Sequence, residues 1–89
     1  MKRLDYTNRY VRDLKRMMKR RTNRARLERT IEALQTGTPL SPTSRPHKLS
    51  GEWDEYWECH VAHDLLLIYA VTDTAILLAA LGTHDDLFT

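Results

Sequence analysis

Three residues that can transfer protons or hold a charge, His60, Asp64 and His84, stand near the ends of predicted strands. An imidazole titrates near neutral pH and can give or take a proton. His60 and Asp64 flank a predicted hairpin turn, and His84 follows Gly82, which ends a predicted strand. In an antiparallel meander the third strand returns to the edge where the first hairpin turns. The pattern therefore predicts an acid–base site at one sheet edge; the alternative is three unrelated exposed polar residues.

The other histidines and the cysteine are weaker candidates. His47 lies in a proline-rich loop, and His63 is predicted in the turn itself, exposed to water. Cys59 shares a predicted inner face with Trp57, which indicates a buried and inert thiol. Cys59 and His60 point to opposite faces of one strand, and no pair repeats the spacing of a zinc motif. We therefore expect no metal, with a metalloprotein built on this Cys/His/Asp cluster as an alternative.

Positive charge is confined to the first half of the chain. All 14 Lys and Arg lie within residues 1–48 beside four acids, a net charge of +10, whereas residues 49–89 carry eight acids and a net charge of −8. So few acids interleave with the basic residues that pairs at i,i+4 neutralise little of the charge. A phosphate-binding surface is therefore favoured over a merely solvated helix face. Its expected contact residues lie at the turn between two predicted helices: Arg16, Lys19, Arg20 and Arg21.

The first half of the chain has the period of helices. A short strand is predicted at 2–6, and apolar residues at helical spacing predict a first helix from about 8 to 20, capped by Thr7 or Asn8. Asn23 is the expected cap of a second helix, antiparallel to the first, which Gly37 ends. The following segment, residues 36–51, holds all three prolines and is predicted to be a loop.

The second half has the period of strands. Alternation predicts a strand at 52–61, and apolar runs predict buried strands at 64–71 and 75–81, with a short final strand near Leu87. This order predicts an α+β fold: a short N-terminal strand, two antiparallel helices, then an antiparallel meander forming one sheet. A chain of 89 residues is long enough for one small domain, so residues 1–89 are expected to form one.

Composition argues against a membrane or a secreted protein. No apolar run approaches the roughly 18–20 residues that cross a bilayer. The N-terminal residues lack the apolar stretch of a secretory signal, and the one cysteine cannot form an internal disulfide. We therefore expect a reducing cytoplasm and no membrane partner.

Three segments of the second half carry a resemblance to a known family. They are HKLSGEW at 47–53, ECHV at 58–61 leading into DLLLIY at 64–69, and GTHDDLF at 82–88. In order and spacing they resemble the YafQ branch of RelE-type bacterial toxins, and the helical half fits that layout more loosely. One departure is Leu65, where the family usually has a tryptophan after the aspartate.

The resemblance implies a compact toxin of RelE-like α+β fold, from a bacterial type II toxin–antitoxin system. Such a toxin enters the ribosomal A site and cuts messenger RNA, and a cognate antitoxin restrains it, often one with a ribbon-helix-helix half like DinJ or RelB. The family's catalytic histidines carry over to His47, His60 and His84, its acidic residue to Asp64, and its C-terminal aromatic to Phe88.

This chemistry is consistent with the residues themselves. RNA carries its own nucleophile in the 2′-OH, so an enzyme without metal or cofactor needs a base, an acid and cationic support for the phosphate. His60 and His84 are the expected proton-transfer pair, since two imidazoles can differ in protonation through their surroundings. The remaining alternative is a non-catalytic basic module that binds RNA or the ribosome.

Overall fold

A computed structural model describes residues 1–88, except for the side chain of Thr22. The elements in chain order are β1 (Arg3–Tyr6), α1 (Asn8–Met17), α2 (Arg21–Thr36), β2 (His47–Lys48), β3 (Trp57–Ala62), β4 (Leu65–Val71), β5 (Ala75–Gly82) and α3 (His84–Phe88). Two short 3-10 turns, Pro42–Ser44 and Gly51–Trp53, interrupt the segment between α2 and β3. The predicted α+β class is confirmed.

The five strands form one mixed sheet in the order β1-β5-β4-β3-β2. The predicted meander is present, because β3, β4 and β5 pair antiparallel in sequence. The sheet is not wholly antiparallel, however, since β1 lies parallel to β5 with Leu4 opposite Ile76. Nor is His47 in a loop as predicted: β2 pairs with β3 and sets His47 opposite Glu58.

The helices begin and end differently from the prediction. The Thr7 hydroxyl accepts the Tyr10 backbone N–H, which confirms Thr7 as the cap of α1. That helix ends at Met17 rather than near 20, and α2 begins at Arg21, so Asn23 lies inside it and is not its cap. Among the described residues, no side chain caps α2. Its packed apolar stripe, rather than a capping residue, decides where it forms. Gly37 ends it in the left-handed conformation, as predicted.

Apolar side chains cover both faces of the sheet. On the face of α1 and α2, alternate residues of β4, Leu65, Leu67 and Tyr69, pack with Tyr10 and Leu27. The intervening residues lie on the other face, in a smaller cluster made of Leu66, Ile68, Ala79, Ala80 and Leu87. The predicted burial of β4 on both faces is therefore confirmed, because side chains alternate along a strand.

The strand predicted from residue 52 begins only at Trp57. Residues Gly51–Trp53 turn instead, and Glu55 has a left-handed φ of 74°, which an extended strand does not allow. Trp53 consequently packs on the smaller cluster rather than beside Cys59. Alternation of residue types had predicted a strand where the backbone bends.

The chain ends in a helix, not in the short strand predicted near Leu87. The Thr83 hydroxyl accepts the Asp86 N–H, and the Asp86 carboxylate accepts the Thr83 N–H, so each satisfies a backbone donor of the first turn. Leu87 then packs on the smaller cluster of the sheet. The result is that α3 starts directly at His84.

Candidate active site

His60, Asp64 and His84 meet at one edge of the sheet, as predicted. The ring centroids of His60 and His84 lie 6.1 Å apart. The Asp64 carboxylate accepts the His84 backbone N–H at 3.3 Å, and the same oxygen lies 3.3 Å from Nδ1 of the ring. The second ring nitrogen, Nε2, takes no part in this contact.

Strand register brings these residues together. Leu66 in β4 pairs with His60 on one side and with Gly82 on the other, so only β4 lies between His60 and the end of β5. The turn between β3 and β4 places Asp64 in a left-handed conformation with φ of 51°, which aspartate tolerates better than most residues. That turn aims the carboxylate at the first residue of α3.

The surroundings of Asp64 favour its charged form. Hydrogen bonds from His84, first from the backbone N–H and then from the ring, lower the pKa of the Asp64 carboxyl. Asp64 and His84 nevertheless remain about half exposed, at 51% and 59%. Water therefore screens the charge interaction between the two side chains.

The surroundings of His60, in contrast, disfavour the charged form of its ring. Burial, followed by the nearby positive charge of Arg45, lowers the pKa of His60 below its usual value. Glu58 opposes this shift to a smaller degree. These surroundings favour the neutral form of the ring, which can accept a proton.

Two residues at the site were missed from the sequence, Glu58 and Arg45. Glu58 is only 3% exposed, and its carboxylate lies 3.5 Å from His47 Nε2. Arg45 follows the Pro42–Ser44 turn with φ of 41°, and its carbonyl oxygen lies 3.3 Å from His47 Nδ1. A usable signal existed for Glu58, since it alternates onto the same face of β3 as His60. Arg45 had no such signal in its irregular segment.

The remaining candidates have different surroundings. Phe88 is 43% exposed with its ring 6.1 Å from that of His84, whereas Cys59 is fully buried and burial raises the pKa of its thiol to about 12. His63 is exposed, as expected. Leu65, which stands where the YafQ branch usually has tryptophan, is 2% exposed and packs in the core under the helices.

The predicted RNA-contact residues at the turn between α1 and α2 are all exposed: Arg16, Lys19, Arg20 and Arg21. Arg16 pairs with Asp13 at 3.2 Å, while the other three form no ion pair with any described residue. None of the four lies among the described residues that line the cleft at the histidine pair. They form a separate basic surface.

The cleft itself has a volume of about 490 Å³ and is partly open to solvent. Positive and titratable side chains dominate its lining: Arg26, Arg45, His60, His63, Asp64 and His84. Within residues 1–88, no three His, Cys, Asp or Glu side chains come close enough to ligate one metal ion. No helix among these residues has the length and apolar character to cross a membrane.

Two main helices, α1 and α2, on one face of a five-stranded mixed sheet are the architecture of a RelE-like toxin. The sequence also matches, over residues 2–89, the family described as the bacterial toxin of type II toxin–antitoxin systems, YafQ. The chain belongs to the YafQ family.

Three relatives illustrate the similarity. The mRNA interferase toxin YafQ of Escherichia coli K12 is 34% identical over 86 residues, which are 96% of this chain and 94% of that protein. The Escherichia coli DinJ–YafQ toxin–antitoxin complex contains a chain that is 32% identical, with a TM-score of 0.87 over 99% of this chain and 98% of that one. A metal-bound toxin from Helicobacter pylori is 31% identical, with a TM-score of 0.89 over 99% and 100% of the two chains.

These relatives confirm the predicted toxin family. The name mRNA interferase describes an endoribonuclease, so the prediction of an enzyme is favoured over that of a non-catalytic RNA-binding module. The assignment of roles to individual residues stays a prediction.

Proposed function

We propose that this toxin is a ribosome-dependent endoribonuclease that cleaves messenger RNA in the A site by acid–base catalysis without a metal. The observation that carries the proposal is the pair of imidazoles, 6.1 Å apart, with a carboxylate on one of them. A binding module needs phosphate contacts, but it does not need two titratable rings facing one cleft.

The reaction follows from the surroundings of the two rings. His60, held neutral, takes the proton of the ribose 2′-OH as that oxygen attacks the adjacent phosphorus. The bond from phosphorus to the 5′-oxygen breaks, and His84 donates a proton to that leaving oxygen. The products are a 2′,3′-cyclic phosphate and a 5′-OH end. Asp64 orients His84 through Nδ1, which leaves Nε2 to face the leaving group.

The other predicted residues support this reaction. His47 lines a cavity of about 480 Å³ together with Arg45, His60 and His84, where it can contact the phosphate undergoing attack. Phe88, beside His84 and partly exposed, can stack on a base next to the scissile bond. The basic turn from Arg16 to Arg21 is not among the described residues of this lining and can bind ribosomal RNA.

The proposal includes the partners and the location. A cognate antitoxin, of the ribbon-helix-helix type, restrains the toxin; the Escherichia coli relative is seen in complex with DinJ. Residues 1–89 act as one toxin domain in the bacterial cytoplasm, where messenger RNA and ribosomes are found.

The test is to induce the toxin in a bacterium and to map 5′-OH ends on messenger RNA. His60→Ala and His84→Ala should each reduce cleavage by roughly 10²–10⁴ while the protein stays folded. Arg12→Ala, an exposed side chain outside the lining of the cleft, is the control and should cut like the parent.

A chelator adds the second arm of this test. The purified toxin should keep full activity after treatment with EDTA, once the magnesium needed by ribosomes is restored. The acid–base assignment fails if both histidine variants cut like the parent. The metal-free mechanism fails if activity returns only with added zinc, copper or manganese.

A further inference from the structure

We propose that Arg26, Arg29 and Arg45 line a trough that binds the backbone phosphates of the RNA strand flanking the scissile bond. This inference rests on the proposed ribonuclease function and adds the path of the substrate beyond the histidine pair. The ligand is single-stranded RNA, held through phosphate charge and independent of base sequence.

The trough consists of two adjoining clefts. The first is the cleft of the histidine pair, and the second, of about 580 Å³, lies between α2 and residues 39–44. Both clefts are lined by Arg26, Thr43, His60 and Val61, so the second continues the first. A strand that leaves the His60 ring therefore meets α2 next.

The three arginines project from opposite walls. Arg26 and Arg29 are spaced i,i+3 on α2 and so share one face of that helix, while Arg45 belongs to the segment across the trough. All three are exposed, and none forms an ion pair with any residue in 1–88. By contrast, Arg9 and Arg16 on α1 are both paired with Asp13.

Positive charge predominates along the trough. Among the described lining residues, Asp64 is the one acid of the first cleft, and the second has none. Like charges that face each other across a cleft repel, and a polyanion relieves that repulsion. Hydroxyl groups of Ser41 and Thr43, 3.0 Å apart on the same wall, can hydrogen-bond phosphate or ribose oxygens.

This surface is distinct from the basic turn at Arg16 to Arg21. Neither cleft of the trough includes the turn's residues among its described lining. The turn is the proposed contact with the ribosome, and the trough is the contact with the message itself. The two surfaces therefore differ in which phosphates they recognise.

A cycle that combines protein and RNA substitutions tests the trough. Ribosomes are programmed with a message in which one phosphate at a time, on either side of the cleavage site, is an uncharged methylphosphonate. Each message is cleaved by the parent, by the double variant Arg26→Gln/Arg29→Gln and by Arg45→Gln. The matched control, Arg12→Gln/Arg24→Gln, removes two exposed charges outside the trough.

At the contacted phosphates the parent and the control should each lose about three- to tenfold in kcat/KM. The trough variants already lack the arginine that contacts this phosphate. The same methylphosphonate should therefore lower their kcat/KM by less than about twofold. For the double variant, the slope of log affinity against log salt should fall by about 1.4, because each single-strand phosphate contact contributes about 0.7. Arg45→Lys should recover most of what Arg45→Gln loses.

The outcomes separate the two proposals. If every flanking methylphosphonate lowers kcat/KM in the trough variants by the same factor as in the control, the trough does not bind the message, although the toxin still cuts it. If the parent cuts no programmed message, the proposed function fails and this inference fails with it. Melting curves of all variants, matched to the parent, exclude loss of the folded state as the cause.

Discussion

Gly82 is the position at which a single methyl group should disturb the site most. A Cβ added there would lie 2.8 Å from the Asp86 Cβ and 3.0 Å from its carboxylate oxygen Oδ2. Ordinary contacts of a Cβ begin near 3.4 Å, so in Gly82→Ala the helix α3 must move outward by about 0.6 Å. His84 is the first residue of α3 and should move with it, which would disturb its contact with Asp64.

Gly82→Ala should lower both kcat and the stability of the fold. A displacement of about 1 Å in a catalytic group can cost about 10²-fold, so a shift of this size should lower kcat by roughly ten- to a hundredfold. Overpacking costs about 1–3 kcal/mol. At about 4–8 °C per kcal/mol for a chain of this size, Gly82→Ala should melt several degrees below the parent.

The assay measures cleavage of programmed ribosomes at a temperature at which both proteins are folded. Asp86→Gly in the Gly82→Ala background removes the colliding Cβ, whereas Asp86→Ala retains it, so only the first should recover part of kcat. If Gly82→Ala melts and cuts like the parent, α3 is not held against β5 as described, and the placement of His84 by that contact is refuted.

Three further predictions follow from other contacts. The nearby charge of Arg45 helps to lower the pKa of His60, so Arg45→Gln should raise that pKa toward its usual value. The NMR titration of the His60 ring and the acid limb of the kcat/KM profile should both move to higher pH. An unchanged titration would contradict this. Asp13 is 4% exposed and accepts the Leu81 N–H at 3.0 Å, so Asp13→Ala should lower the free energy of unfolding in urea by about 1.5–3 kcal/mol. Asp13→Asn, which keeps an acceptor, should lower it less. Equal losses in the two variants would argue against the hydrogen bond. Phe88→Ala should melt like the parent, because the ring is 43% exposed, but should cut poorly, because the ring no longer stacks on a base. A variant that melts far lower and cuts normally in the cold would make Phe88 a structural anchor instead.

Much of the fold could be predicted because its signals are local. The cap at Thr7, the helix end at Gly37 and the burial of β4 on both faces depend on neighbouring residues, so composition and period were sufficient. Helix α3 also has a local signal, the Thr83–Asp86 pair, which competes with the tendency of the apolar Leu87 to predict a strand.

The meeting of His60, Asp64 and His84 followed from topology. Two successive reversals return the third strand to the edge where the first turn lies, whatever side chains fill the strands. Residue types and turn positions therefore sufficed to predict the site, although the spacing of the rings was not predictable.

The rest was decided only in three dimensions. The parallel pairing of β1 with β5 joins segments about seventy residues apart, and no local pattern records such a partner. His47 gains its contact with Glu58 through a strand of two residues, which is too short to show a period. Arg45 approaches the histidines because an irregular segment bends there. The sequence by itself determined which groups can transfer protons, while tertiary contacts decided which charges surround them, because those charges come from segments that meet only in the folded chain.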